Sequence, residues 1–224
     1  MMIKKLNNCL TTNIGDTMGK KNAPESRNRI IKTAVVLFAR RGYASIGLRE
    51  LAEKAEVNLA MINYFFGGKK KLLMIILDTF FSGYLEILEQ ELCRNVPFEE
   101  KIRTFIHRAV EYISSNREYM IVTLAEVPHD DPDITEYKSQ WGKKAMAIIE
   151  QGICMPLAVR SGKKISPAAI GPLIISMMTS RFLFAPILEK VQPTGYGDAF
   201  FAEYPDFIAT IFLNGINGLD QDSC

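Results

Sequence analysis

Apolar residues recur at three- and four-residue spacings along most of this chain and nowhere alternate as they would in a strand, so the pattern predicts an all-α protein. The first stripe, Ile30, Ile31, Ala34, Leu37 and Phe38, leaves Arg27, Lys32, Arg40 and Arg41 off it and stops at Gly42. Gly47 stands at the N-cap of a short second helix carrying Leu48, Leu51, Ala52 and Ala55. That helix breaks at Glu56-Val57, and Asn58, a good N-cap, opens a third helix from Leu59 to Phe66 with Ile62 and Phe66 facing inward. Two short helices joined by a tight turn make a helix-turn-helix, the second helix being the one sized for a DNA major groove.

Beyond Gly67-Gly68, three lysines (Lys69, Lys70 and Lys71) open a long helix to about Cys93, with Leu72, Leu73, Ile76, Phe80, Tyr84, Ile87 and Leu88 in helical period. Pro97 starts another, lined by Ile102, Phe105, Ile106, Ala109, Val110 and Ile113 and ending near Asn116. A short helix is expected from Glu118 to Val127, then a loop from Pro128 to Asp133, then a long helix from Ile134 to Leu157. Ser166-Pro167 caps a segment to about Ala185 that is apolar on every face. Its uncharged run, Ile165 to Ser180, is 16 residues long, short of the roughly 20 a bilayer needs, and contains two prolines; it reads as a buried or interface helix with no membrane role. A last helix runs from Pro205 to about Leu219 with Ile208, Ile211, Phe212 and Gly215 on one stripe.

Charge sharpens this picture. The net charge of 224 residues is only +2, but Met18 to Leu72 holds 12 Lys and Arg against 4 Asp and Glu, a net +8, and Leu73 to Cys224 holds 13 against 20, a net −7. A basic head suits phosphate neutralisation, and an acidic body discourages stray nucleic-acid contact; a merely solvated helical face would look the same. Three lysines in a first helical turn oppose the helix dipole and ask for an external anion, which Lys69 would find in DNA phosphate, with Lys70 and Lys71 solvated.

Candidate catalytic chemistry is absent: there is no GxSxG, HExxH or phosphate-cradling Gly loop, and only two histidines, His107 and His129. His129 lies beside Asp130, Asp131 and Asp133, but acids at a helix start are explained by capping, so no metal and no cofactor is expected. Cys9, Cys93, Cys154 and Cys224 have neither metal nor disulfide spacing and fit reduced thiols in a cytoplasm. The N-terminal stretch lacks the continuous apolar core of a secretory signal and reads as a flexible arm, with Met18 an alternative start to Met1.

The runs "RGY", "LRELAEKAEV" and "NYFFGGKKKLL" together resemble the TetR family of transcriptional regulators over about a quarter of the chain. Three positions depart from the family pattern: Gly47 where Thr or Ser usually caps, Glu56 where Gly usually makes the turn, and Phe65 where His is common and would contact phosphate. Glu56 in a left-handed turn costs about 1 kcal/mol. The resemblance implies an arm over 1–22, a helix-turn-helix domain over 23–72 and a helical ligand-binding and dimerisation domain over 73–224. It implies no enzyme but a cytoplasmic DNA-binding regulator, a repressor by preference, that binds an inverted-repeat operator as a homodimer and is released by a small-molecule effector. A DNA-binding protein working without an effector is the alternative.

The residues expected at DNA are Arg49, Asn58, Leu59, Ala60, Met61, Asn63, Tyr64 and Lys69: uncharged Leu59, Ala60 and Met61 suit thymine methyls, Asn63 and Tyr64 a phosphate or an adenine edge, Arg49 a guanine or phosphate. A ligand pocket is expected around Tyr119, Trp141, Met177, Arg181 and Phe182. Arg181, the sole charge between Ile165 and Glu189, needs a partner: a structural acid such as Glu126, which is preferred, or an anionic ligand. The dimer interface is placed on Ile174, Met178, Ile208, Ile211, Phe212 and Gly215, where small residues permit close helix approach.

Overall fold

A computed structural model describes residues 14–124, 131–162, 164–191 and 198–218, with side chains from residue 23 onward except at 161, 198–201 and 217. Among the described residues the chain is helical throughout, in the order α1 (Ile14–Arg41), α2 (Leu48–Lys54), α3 (Leu59–Phe66), α4 (Lys69–Leu92), α5 (Phe98–Ser115), α6 (Arg117–Leu124), α7 (Pro132–Ile149), α8 (Met155–Ser161), α9 (Pro167–Val191) and α10 (Asp198–Gly218). The all-α architecture is therefore as the hydrophobic period required.

Several boundaries differ, each for a local reason. Helix α1 begins at Ile14, well before the first stripe, because its early turns are polar and carry no apolar face by which periodicity could mark them. Residues 1–13 of the expected arm lie outside the described residues. The long helix expected to Leu157 is interrupted by a π-helical turn, Glu150–Cys154. It sits just ahead of Pro156, whose missing N–H cannot close a regular turn onto Gly152. Gly152 is also where the chain meets α4: a Cβ there would lie 2.6 Å from Leu92 Cβ and 2.9 Å from its carbonyl oxygen. Helix α10 starts at Asp198 and runs through Pro205. The buried Tyr204 holds that entry by donating its hydroxyl to the Met177 carbonyl of α9 at 2.7 Å.

Two cores form. The head core gathers Ile30, Ala34 and Phe38 of α1, Leu51 of α2 and Ile62 and Phe66 of α3. It also takes in Leu72, Leu73, Ile76 and Leu77 of α4, Val122 of α6 and Ile134 of α7, so a division at 72/73 passes through shared packing. The body core is built from α4, α5, the π-helical turn, α9 and α10 around Phe80, Leu88, Phe105, Ile113, Ile174 and Phe212. Helix α4 is not the sole element reaching from head to body: α6 and α7 each place a residue in the head core as well.

Helix α9 is 25 residues long and, by length and composition, apolar enough to cross a membrane. What argues for a core helix is burial: Ile170, Ile174, Met178, Phe182 and Ala185, with Thr179 and Arg181, are all buried against the chain's own elements. The expected end at Ala185 gave way because Pro186 is accommodated inside the helix.

Candidate nucleic-acid interface

The helix-turn-helix is assembled from the predicted parts. Leu51 and Ala52 anchor α2, Ile62 and Phe66 anchor α3. Between them Glu56 has φ 52°, the only positive φ among the described non-glycine residues. Arg29 of α1 clamps this turn, its Nε donating to the Ala55 carbonyl at 2.8 Å and a terminal nitrogen to the Glu56 carbonyl at 3.3 Å. Replacing Glu56 by Gly removes the left-handed penalty, so a gain of about 1 kcal/mol is expected, read as a rise in Tm of about 2 to 4 °C. No change in melting would show that the clamp, not the residue type, fixes the turn energy.

Asn58 caps α3, its Oδ1 accepting the Ala60 N–H at 2.9 Å; at that position it is a positioning group first. The C-terminal end closes through Gly67 in the left-handed region, φ 68°, whose N–H donates to the Asn63 carbonyl at 2.8 Å. On the outer face of α3, Ala60, Asn63 and Tyr64 are exposed, Tyr64 to 84%, which leaves an aromatic ring in water beside short side chains. Leu59 and Met61 are half-buried. Phe65 is half-buried too, edge-on to Tyr64 and Phe66. Arg49 is exposed at the start of α2. Gly47 leaves that helix without a side-chain cap.

The three lysines divide. Lys69 lays its ammonium 4.2 Å from the Tyr43 ring centroid and 5.9 Å from that of Phe38. Partial burial pushes its pKa down, and the two rings hold the charge in one place at the edge of the head. Lys70 corrects the expectation that it is merely solvated: its Nζ is 2.9 Å from Asp131 Oδ1 and 2.6 Å from Asp133 Oδ2 at the start of α7. The hydrogen bonds that Lys70 donates to Asp133 and Asp131 raise its pKa. The hydrogen bond from Lys70, followed by that from the Ile134 backbone, lowers the Asp131 pKa. The anion that Lys70 required is thus internal. Asp131 also caps α7, accepting the Asp133 and Ile134 N–H groups at 3.0 and 3.2 Å. His129 and Asp130 lie outside the described residues.

In the body, an apolar cavity of about 240 Å³ opens between α4, α6, α7 and α9. Phe81, Tyr84 and Leu85 wall one side, Trp141, Ala145 and Met146 another, and Ile175 closes it from α9. Trp141 stacks on Phe81 with ring centroids 5.6 Å apart. Of the five residues expected to line a pocket, Trp141 alone does so here. Tyr119 and Met177 pack half-buried against the body core. Phe182 floors a separate groove with His107, Arg108 and Glu111. Arg181 is buried to 5% exposure away from the cavity wall, and Glu126, its suggested partner, lies outside the described residues.

The expected dimer residues need the largest correction. Ile174, Met178, Ile208 and Phe212 are buried within the chain's own core, covered before any partner arrives. Only Ile211 and Gly215 of that set face solvent. The outward stripes are instead Phe184, Ile187 and Val191 on α9 and Phe207 and Ile211 on α10.

Comparison with known proteins agrees with this geometry. Residues 30–74 match the family model described as bacterial regulatory proteins, tetR family. The chain is 29% identical over 133 residues to the probable HTH-type transcriptional regulator YttP of Bacillus subtilis, covering 57% of this chain but only 64%, less than two-thirds, of YttP. It is 25% identical over 196 residues to the HTH-type transcriptional repressor SCO4008 of Streptomyces coelicolor, covering 81% of this chain and 90% of that one. A TetR-family transcriptional regulator from Bordetella parapertussis superposes with a TM-score of 0.66 at 18% identity, covering 84% of this chain and 94% of the other. FadR from Bacillus subtilis, crystallised with stearoyl-CoA, superposes with a TM-score of 0.57 at 18% identity over 82% of this chain and 97% of that chain. At such identities the structural likenesses speak for a shared all-α fold. The family is one of transcriptional regulators, not of enzymes. The family model lies across α1, α2, α3 and the start of α4, the very helices that build the helix-turn-helix, so it is in this head that the chain is similar to the tetR family of bacterial regulatory proteins.

Proposed function

We propose that this chain is a cytoplasmic, DNA-binding transcriptional repressor that sits on an inverted-repeat operator as a homodimer and is released when a small molecule enters the body. The observation that carries the reading is the outer face of α3. Ala60, Asn63 and Tyr64 stand exposed on a helix capped at both ends, with Arg49 exposed on α2 and Lys69 held on Tyr43. Short side chains allow close approach to base edges, Asn63 and Tyr64 can bond a base or a phosphate, and Arg49 and Lys69 supply charge. Dimerisation through the outward stripes of α9 and α10 buries five large apolar side chains that the single chain leaves in water. A two-fold pair then presents two α3 helices to half-sites about one helical turn, or a multiple, apart. The repressor assignment draws on SCO4008, which is named as one. What supports a ligand role for the cavity is its apolar wall and its position against α4, α6 and α7, which also enter the head core.

The test is binding to selected operator and to random DNA at several salt concentrations. Each phosphate contact adds about 0.9 to the slope of log affinity against log salt. Lys69→Ala should flatten that slope by about one contact on both DNAs while Tm stays near wild type. An unchanged slope would remove Lys69 from the interface. Failure of any selected sequence to outcompete random DNA would sink the operator reading itself.

A further inference from the structure

The alternative of an anionic ligand on Arg181 finds no support in this cavity: among the described residues its wall holds no charged side chain, and Arg181 is not part of it. Among the described wall residues two carry a polar side-chain group, Trp141 and Tyr84. The Trp141 indole N–H is engaged by the Tyr137 hydroxyl, which itself donates to Asp78. Tyr84 is 8% exposed, and its hydroxyl makes no hydrogen bond among the described residues. A buried phenol normally has a partner. Burial pushes the Tyr84 pKa up, so the hydroxyl keeps its proton at neutral pH and can either donate or accept.

Size narrows the class further. A dry apolar cavity of about 150 Å³ takes a benzene ring, so the about 240 Å³ here fits a substituted ring or a small fused pair. The Phe81–Trp141 stack gives such a ring a flat wall. Gly142, where an added Cβ would meet nothing within 4 Å, leaves space opposite the helix backbone of α7.

Resting on the ligand-site reading above, we propose that the cavity selects an uncharged aromatic molecule of one or two rings, seated against Trp141, with a single hydrogen-bonding substituent paired to the Tyr84 hydroxyl. An ionised carboxylate or ammonium is disfavoured, because nothing among the described wall residues compensates for its lost hydration.

The chain has one tryptophan, so its fluorescence reports on this wall alone. Three probes share one ring: bromobenzene, 4-bromophenol and 4-bromobenzoate, whose bromine quenches an indole on contact. Titrated into the full chain at neutral pH, 4-bromophenol should bind tightest, bromobenzene about three- to tenfold more weakly for want of the hydrogen bond, and 4-bromobenzoate about a hundredfold more weakly or worse. Tyr84→Phe should bring the phenol down to bromobenzene. Gly142→Leu, which fills the space and replaces a glycine inside a helix, should abolish saturable quenching by all three while melting no lower than wild type. Should 4-bromobenzoate bind as well as the phenol, the chemical class is overturned and the site stands. If the phenol keeps its advantage in Tyr84→Phe, the hydroxyl pairing is overturned. Should no probe quench the wild type saturably, or all quench Gly142→Leu equally, the ligand-site reading itself falls.

Discussion

Ile211→Glu is expected to leave the chain folded but monomeric, and to remove specific operator binding with the dimer. Ile211 is 46% exposed in the single chain, so a carboxylate there meets water and the fold does not suffer. It stands one turn from Phe207 on the exposed face of α10, which packs against α9. In a two-fold packing of these helices the new charges would be buried without partners. That costs about 2 to 5 kcal/mol, a thirtyfold to several-thousandfold loss in dimer affinity. With the two recognition helices no longer fixed to one another, only one half-site is read at a time, and affinity for the inverted repeat should drop towards that for random DNA. Ile208→Glu cannot serve as the test, because Ile208 is 2% exposed and the charge would enter the body core. Sedimentation of Ile211→Glu decides it: a variant that remains dimeric and still binds operator would move the interface off α10.

The same residues show what a sequence can and cannot tell. Head helices α2 and α3 were legible because each has one apolar side: Leu51 and Ala52 on α2, Ile62 and Phe66 on α3 leave no doubt about which face is buried. The left-handed Glu56 and the Asn58 cap were legible because turn and cap chemistry is local. Helix α9 is apolar all round, so its period carries no orientation, and Ile174 and Met178 were as good a guess for an interface as Phe184 and Ile187. The cavity wall was hidden for a related reason. Phe81, Leu85 and Ala145 look like any core residues, and what makes them a wall is the absence of a neighbour, which no spacing encodes. Lys70 and Asp131 lie 61 positions apart. Their pairing depends on where α7 lands against α4, which no window of sequence contains.

That pairing leads to the second large effect. Asp131→Asn combined with Asp133→Asn is expected to leave operator binding in place and to uncouple it from ligand. Helix α7 enters the head core through Ile134 at one end and lines the cavity with Trp141, Ala145 and Met146 further along. Its start is tied to α4 by Lys70, next to the Lys69 proposed to meet phosphate, and one turn on the Tyr137 hydroxyl donates to Asp78 of α4. A ligand that shifts α7 therefore pulls on the helix carrying Lys69. Asp131 is held below its usual pKa and Lys70 above its own, so the tie is fully formed at neutral pH and is lost as acid protonates Asp131 or as strong base deprotonates Lys70. A ligand favouring one arrangement by about 1 to 3 kcal/mol changes operator affinity about five- to 150-fold, and operator must change ligand affinity by the same factor. Measuring 4-bromophenol affinity by Trp141 fluorescence with and without saturating operator gives that factor directly. In the double variant it should fall towards one, while operator affinity without ligand stays within a few-fold of wild type, since neither aspartate lies on the α3 face. An undiminished factor would mean that α4 and α6 carry the coupling and that the Lys70 tie only braces the head against the body.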